Sequence, residues 1–324
     1  MKWKFASAAT VAIAMIVKPL VALAGGFESF VAATGSDANP CSPNQPCASL
    51  QHALDQTSAG GTIEIMSPGA YGQVLITKSI TIISQTGGSN FEGGGNIIGT
   101  PIFTVNAGSS DTVMIRGINL LSLSGISNTN GIIFNSGGRL HLHNCIFANL
   151  NSSSGQGGLL FAPSGASKLV ITDSVFSNNI TGTSGSGILI QPTGSGSAQV
   201  DIERVTVEGN GFGIVADGSG STTGINMIIA DSTLTGNRND GMIASTSSGG
   251  APIGVMIKNT RSTVNGFGLR SIGSGVTIRV KNSEIIGNDT GLTAQGGGAL
   301  LTNGDNTVQA NGINGSFTGT LPEN

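Results

Sequence analysis

Five residues in the middle of this chain carry most of its acid–base potential: Asp173, Asp201, Glu203, Arg204 and Asp231. Asp201 and Glu203 are two residues apart, which on an extended strand puts both carboxylates on one side. Such a pair is the beginning of a Ca²⁺ site, although that ion takes six to eight oxygen ligands. Asp173, Arg204 and Asp231 read either as an arginine base flanked by acids or as a surface salt-bridge ladder, the more common outcome for alternating exposed charges. His141 and His143 also stand two apart. Whether any of these groups meet depends on the elements that carry them.

A repeat supplies those elements. An eleven-residue unit ending in Asn recurs at 169–179, 200–210, 227–237, 255–265, 278–288 and 301–311, preceded by copies at 113–123 and 140–150 that end in Leu. Successive starts are 27, 29, 31, 27, 28, 23 and 23 residues apart, the signature of a solenoid whose coils carry loops of different length. Positions one and three are apolar in nearly every copy, as in Leu169/Ile171, Val200/Ile202 and Met227/Ile229. That alternation places one face of a strand inward. Position eight (Phe147, Phe176, Val207, Leu234, Ile285) marks a second strand, and a Gly-aliphatic run after the Asn (Gly187–Ile190, Gly213–Val215, Gly241–Ile243) marks a third. Three short strands per turn predict an all-β, single-stranded, right-handed parallel β-helix.

In this register Asn179, Asn210, Asn237, Asn265, Asn288 and Asn311 stack as a structural amide ladder. Position six holds Cys145, Ser174, Val205, Ser232, Thr260 and Ser283, a small inward column that makes Cys145 a buried residue and not a nucleophile. Positions two and four face outward. Asp201 and Glu203 are the one carboxylate pair on that face, with Val170, Thr172, Ile228 and Ala230 on the adjoining coils. His141 and His143 lie two coils from them, about 10 Å by rung spacing, so the register puts no histidine beside the acid pair.

Residues 1–24 have a basic start (Lys2, Lys4), an apolar run and Ala22-Leu23-Ala24, the layout of a secretory leader cleaved near Ala24. The expected location is therefore secreted or periplasmic, without membrane insertion. Beyond the leader, 11 basic face 17 acidic residues, a net charge of −6, which disfavours nucleic acid as a partner. Cys41 and Cys47 flank a Pro-containing loop and are expected to pair in an oxidising compartment. A metal site there would have only His52 nearby in sequence. Ser49 caps a predicted helix whose Leu50, Ala53 and Leu54 would cover the first coil. The chain divides into leader (1–24), leading segment and capping helix (25–61), β-helix (62–312) and tail (313–324).

These residues resemble the pectin-lyase-like superfamily, in particular its Ser/Gly-rich bacterial members built of right-handed β-helix repeats. The resemblance rests on Ala33–Cys41, Pro46-Cys47, the capping helix with Gly60-Gly61, Ser67–Tyr71 and the Asn-ended coils. It implies the fold, whereas the function varies widely on such scaffolds. Lyases of that superfamily hold Ca²⁺ on clustered outer acids and use Arg or Lys as a base, so the resemblance implies Ca²⁺ only on the enzyme reading. The mature chain has no Trp and one Tyr, Tyr71, few aromatic faces for sugars. The reading that follows is a non-catalytic exported scaffold that binds extracellular or surface polysaccharide, with a divergent lyase, epimerase or hydrolase as the alternative. The oligomeric state is left open.

Overall fold

The structure is a computed structural model that describes residues 26–84, 89–92, 102–121, 130–150, 157–180 and 184–321. The predicted leader lies outside the described residues. The chain winds as a right-handed parallel β-solenoid of about nine turns. Its strands stack into three parallel sheets of twelve, nine and nine strands among the described residues. The first sheet collects the strands that open each repeat, such as Arg139–His143, Ala166–Thr172, Ser197–Glu203, Gly224–Ala230, Ile253–Lys258 and Val276–Lys281. The second collects the position-eight strands (Val175–Ser177, Thr206–Glu208, Thr233–Thr235) and the third the Gly-led strands (Ser186–Ile190, Phe212–Asp217, Asp240–Ser245).

Register follows the repeat. Leu140, Leu169, Val200, Met227, Val255 and Ile278 are successive partners on the first sheet, and all are buried. Each coil bends by placing one residue in the left-handed region. At the first corner these are Asn144, Asp173, Arg204, Asp231, Asn259 and Asn282, with φ between 43° and 53°. At the second they are Asn149, Asn178, Gly209, Gly236, Val264, Gly287 and Ala310, with φ between 54° and 68°. Asn, Asp and Gly tolerate this conformation and most other residues do not.

The amide ladder follows the second corner. Asn237 Oδ1 accepts from the backbone and side-chain amides of Asn210, while Asn237 Nδ2 donates to Val207 O and Asn265 Oδ1. Leu150, in a coil without the Asn, gives its N–H to Asn179 Oδ1 at 3.0 Å. The last rung, Asn311, closes on Asn314. Position six forms a second inner ladder. The hydroxyls of Ser174, Ser232, Thr260 and Ser283 each donate to a carbonyl two residues back and accept the N–H of Cys145, Val205, Ser232 and Thr260 respectively. Cys145 is buried, and burial pushes its thiol pKa up to about 11.

One register assignment needs correction. The final unit does not open at Leu301: Leu300 pairs with Ile278 and is buried, while Leu301 pairs with the outward Arg279. Asn311 nonetheless keeps its ladder place, because the last coil spends one extra residue on its first corner, around Asn303–Asn306.

At the leading end, helix α1 (Leu50–Gln56) is capped by Ser49, whose hydroxyl accepts from His52 N. Its apolar side, Leu50, Ala53 and Leu54, joins the core. Cys41 and Cys47 are disulfide-bonded with Cα atoms 4.7 Å apart, and their loop hydrogen-bonds to the strand Gly26–Val31, which lies at the edge of the first sheet. At the far end Gly319–Thr320 pairs with the last long-sheet strand and Phe317 packs on the core. No helix among the described residues is long and apolar enough to cross a membrane.

Candidate functional site

The five candidate residues separate into two places. Asp173, Arg204 and Asp231 belong to the first corner, where the backbone itself selects Asn or Asp. Arg204 is the exception in that column, and it is held on both sides. Its Nε and Nη2 donate to Asp173 Oδ1 and Oδ2 at 2.7 and 3.0 Å, and Nη1 lies 2.5 Å from Glu203 Oε1. The Arg204 hydrogen bond is the largest influence holding the Asp173 carboxyl below the usual range. Asp231 does not complete the expected ladder with Arg204 but accepts from Asn259 at 3.0 Å, and Asn259 in turn accepts from Asn282 at 2.8 Å.

The structure adds a member that the sequence register passed over. His143 Nδ1 lies 2.8 Å from Thr172 Oγ1 and 3.4 Å from Asp173 Oδ2. The signal was present: position four of one coil sits beside position five of the next, whereas histidines and acids had been compared only within outward columns. Burial, then the charges of His143 and Arg139, lower the pKa of His141 and favour its neutral form.

Asp201 lies elsewhere, in a trough of about 660 Å³ on the outer face of the first sheet. Its apolar floor includes Val170, Ile228 and Met256, and its polar rim includes Lys168, Gln199, Asn226 and Arg279. A second depression of about 250 Å³, bordered by Ser109, Ser167 and Ser197, shares Lys168 and Gln199 with it. Together they cross seven consecutive strands, from the turn before Thr112–Arg116 to Val276–Lys281, which is ~29 Å at a spacing of ~4.8 Å. Gly254 opens this surface. It pairs in register between Asn226 and Thr277 and lacks a positive φ, so the turn geometry that explains other glycines does not apply. An added Cβ would stand 3.3 Å from Asn226 Oδ1. A glycine inside a strand is a place where another molecule can come close.

Charge is distributed unevenly around the solenoid. Between Thr112 and Lys281 the first sheet carries Arg116, Arg139, Lys168, Lys258, Arg279 and Lys281 against Asp201 and Glu203, although the whole chain has a net charge of −3. None of those six cations forms an ion pair among the described residues, whereas Glu203 is taken by Arg204. The face is thus basic on an acidic protein.

Ca²⁺ does not fit these residues. Asp201 has Val170 and Ile228 as rung neighbours, Glu203 is tied to Arg204, and the described residues beside the pair do not supply the oxygens needed for six- to eight-fold coordination. Cys41, Cys47 and His52 lie close together, but sulfurs in a disulfide are not thiolate ligands.

No protein-family model matches the chain, and no curated protein matches its sequence. Solved structures do resemble its fold. Pectate lyase Pel9A is 15% identical over 85% of this chain and 67% of its own, with a TM-score of 0.49. A rhamnogalacturonan lyase is 15% identical over 86% and 73%, with a TM-score of 0.48. The A-module of mannuronan C-5 epimerase AlgE4 from Azotobacter vinelandii is 13% identical over 82% and 91%, with a TM-score of 0.49.

Proposed function

We propose that this protein is an exported, non-catalytic scaffold that binds an extended acidic polysaccharide along the outer face of its first sheet. The observation that carries the reading is the trough itself: it runs across successive coils, is floored by aliphatic side chains and is bordered by cations that form no ion pair among the described residues. A linear polymer uses such a length, and a small ligand does not. Aliphatic residues meet the C–H faces of sugar rings in place of the missing aromatics, Gln199 and Asn226 offer amides, and Lys168 and Arg279 meet acidic groups.

The test is calorimetric titration of the purified protein with pectate, alginate and neutral polysaccharides, with and without Ca²⁺, alongside absorbance of unsaturated products. Binding should be confined to the acidic polymers, weaken with salt, and fall about tenfold in Lys168→Glu or Arg279→Glu, as for loss of one charged hydrogen bond. Gly254→Leu should abolish it by filling the trough. Equal binding of neutral polymers would overturn the acidic assignment. The contact between His143 and Asp173 favours a second reading, a divergent carbohydrate-active enzyme. Product formation lost in His143→Ala or Asp173→Ala would establish it in place of the first.

A further inference from the structure

Like charges meet twice on the outer face of the first sheet. Arg139 and Lys168 are rung partners on adjoining coils, both exposed. Lys258 and Lys281 repeat the arrangement nearer the far end, and Arg279 stands two residues before Lys281 on the same strand. Like charges held side by side on neighbouring strands are unfavourable. The fold had another solution, because three arginines elsewhere are matched to an acid on the adjoining coil. Arg261 meets Glu284 at 2.9 Å on the second sheet, Arg270 meets Asp240 at 2.7 Å on the third, and Arg204 meets Asp173 at 2.7 Å at the first corner.

The acids near these cations turn to other partners. Asp111, whose backbone carbonyl accepts from Arg139 N, has its carboxylate on the hydroxyl of Ser79 at 2.6 Å and the N–H of Gly108 at 2.8 Å. Asp231 accepts from the Asn259 side chain, and Asp305 accepts the backbone N–H of Asn282 at 2.9 Å. Glu203 is held by Arg204. No ion pair among the described residues therefore offsets either pair of cations.

We infer that each pair is an anchor for an acidic group of one and the same ligand, so that tight binding requires an acidic chain long enough to reach both. The inference rests on the reading of this face as a site for acidic polysaccharide. Between the middles of the two pairs lie four rungs and four residues of strand, ~19 Å by ~13 Å, or ~23 Å on the diagonal. That diagonal crosses the trough floor between Asp201 and Ile228. There Asp201 repels an acidic group and accepts from a sugar hydroxyl, which divides the positive charge into two separate points. Two linked contacts reinforce each other only when the linking chain spans them, and together they then exceed either alone by about 10²–10⁴-fold.

Calorimetric titration with galacturonate oligomers of graded length, and in parallel with linear polyphosphates of graded length, tests this. Short oligomers should bind weakly, two to a protein molecule. Once a chain spans both pairs, the stoichiometry should fall to one and the affinity rise by about a hundredfold. In Lys258→Gln/Lys281→Gln the step should vanish and short oligomers should bind one to a molecule. The urea midpoint should be no lower than wild type, since a repulsion has been removed. Arg139→Gln/Lys168→Gln makes the same test at the other pair, and Arg261→Gln on the second sheet should keep the step. Affinity that climbs smoothly with length, or a step that survives in both double variants, overturns the inference. A step with polyphosphates while no galacturonate chain binds keeps the two anchors and overturns the polysaccharide reading. Absence of binding by either series overturns both.

Discussion

The two corners of each coil both repeat Asn and Asp, yet they serve different ends. At the second corner the ladder asparagines from Asn179 to Asn288 are buried, and the side chains of Asn210, Asn237, Asn265 and Asn288 answer groups on the coils before and after them. At the first corner Asp173, Arg204, Asp231, Asn259 and Asn282 are solvent-facing and linked in short runs. What they share is one left-handed residue per bend: at the first corner it is the Asn, Asp or Arg itself, and at the second it is the residue just before the ladder, such as Gly209, Gly236 or Gly287. At the first corner a recurring polar residue thus reports backbone geometry before chemistry. Lys168, Gln199, Asn226 and Arg279 lie mid-strand, where the backbone makes no such demand, and their identity is the better guide to function.

The contrast between corners is broken most strongly at Asn237. Asn237→Ala would orphan the backbone N–H of Asn210, the carbonyl of Val207 and an acceptor position on Asn265, all in the interior. At roughly 1–3 kcal/mol per unsatisfied group, the loss should be about 3 kcal/mol or more. Asn259→Ala, at the exposed first corner, should cost under about 1 kcal/mol. Urea unfolding of the two variants measures the difference, and equal losses would mean that the ladder is not the main tie between coils.

Next in size is the left-handed position just before the ladder. Val264 occupies it with φ 58°, where Gly209, Gly236 and Gly287 stand in neighbouring coils. A β-branched side chain there is strained by roughly 1–2 kcal/mol, and Val264 is 66% exposed, so it returns little through burial. Val264→Gly should therefore raise stability by about 1 kcal/mol, read as a higher urea midpoint at unchanged slope.

A comparable gain is expected inside the first corner. Val205 interrupts the inner hydroxyl ladder, with no oxygen to offer the coil of Ser174, while Ser232 serves Val205 itself at 3.1 Å. Val205→Thr keeps the volume and restores an acceptor. It should stabilise by about 1 kcal/mol; a loss on urea unfolding would mean that the hydroxyl finds no partner there.

Much of this architecture was legible in the sequence because the solenoid writes it many times. Alternation at positions one and three, the terminal Asn and the Gly-led third run each recur on successive coils, so a single ambiguous residue does little harm. The Cys41–Cys47 bond and the Ser49 cap were legible for the same local reason: close spacing leaves few other partners. The slip at Leu301 came where the repeat gains a residue at its corner and two adjacent leucines fit position one equally well. The trough was not legible. It arises between coils, from residues such as Lys168, Asn226, Gly254 and Arg279 that are far apart in sequence and share no motif. The contact between His143 and Asp173 was missed because it joins a strand column to a corner column, and strand alternation does not set where a left-handed corner residue points.

The smallest expected effect separates the two meanings of the first corner. Arg204 is the member of that column that the backbone does not favour, with φ 53° and its guanidinium shared between Asp173 and Glu203. Arg204→Asn would relieve the strain and remove exposed ion pairs, whose worth is small, so stability should change by under about 0.5 kcal/mol. If the corner is only a bend, polysaccharide binding and product release should also be unchanged, because Asn serves the same position two coils later at Asn259. A loss of binding or of product at unchanged stability would show that the arginine was kept for a ligand. The cluster of His143, Asp173, Glu203 and Arg204 would then join the site that the trough alone now defines.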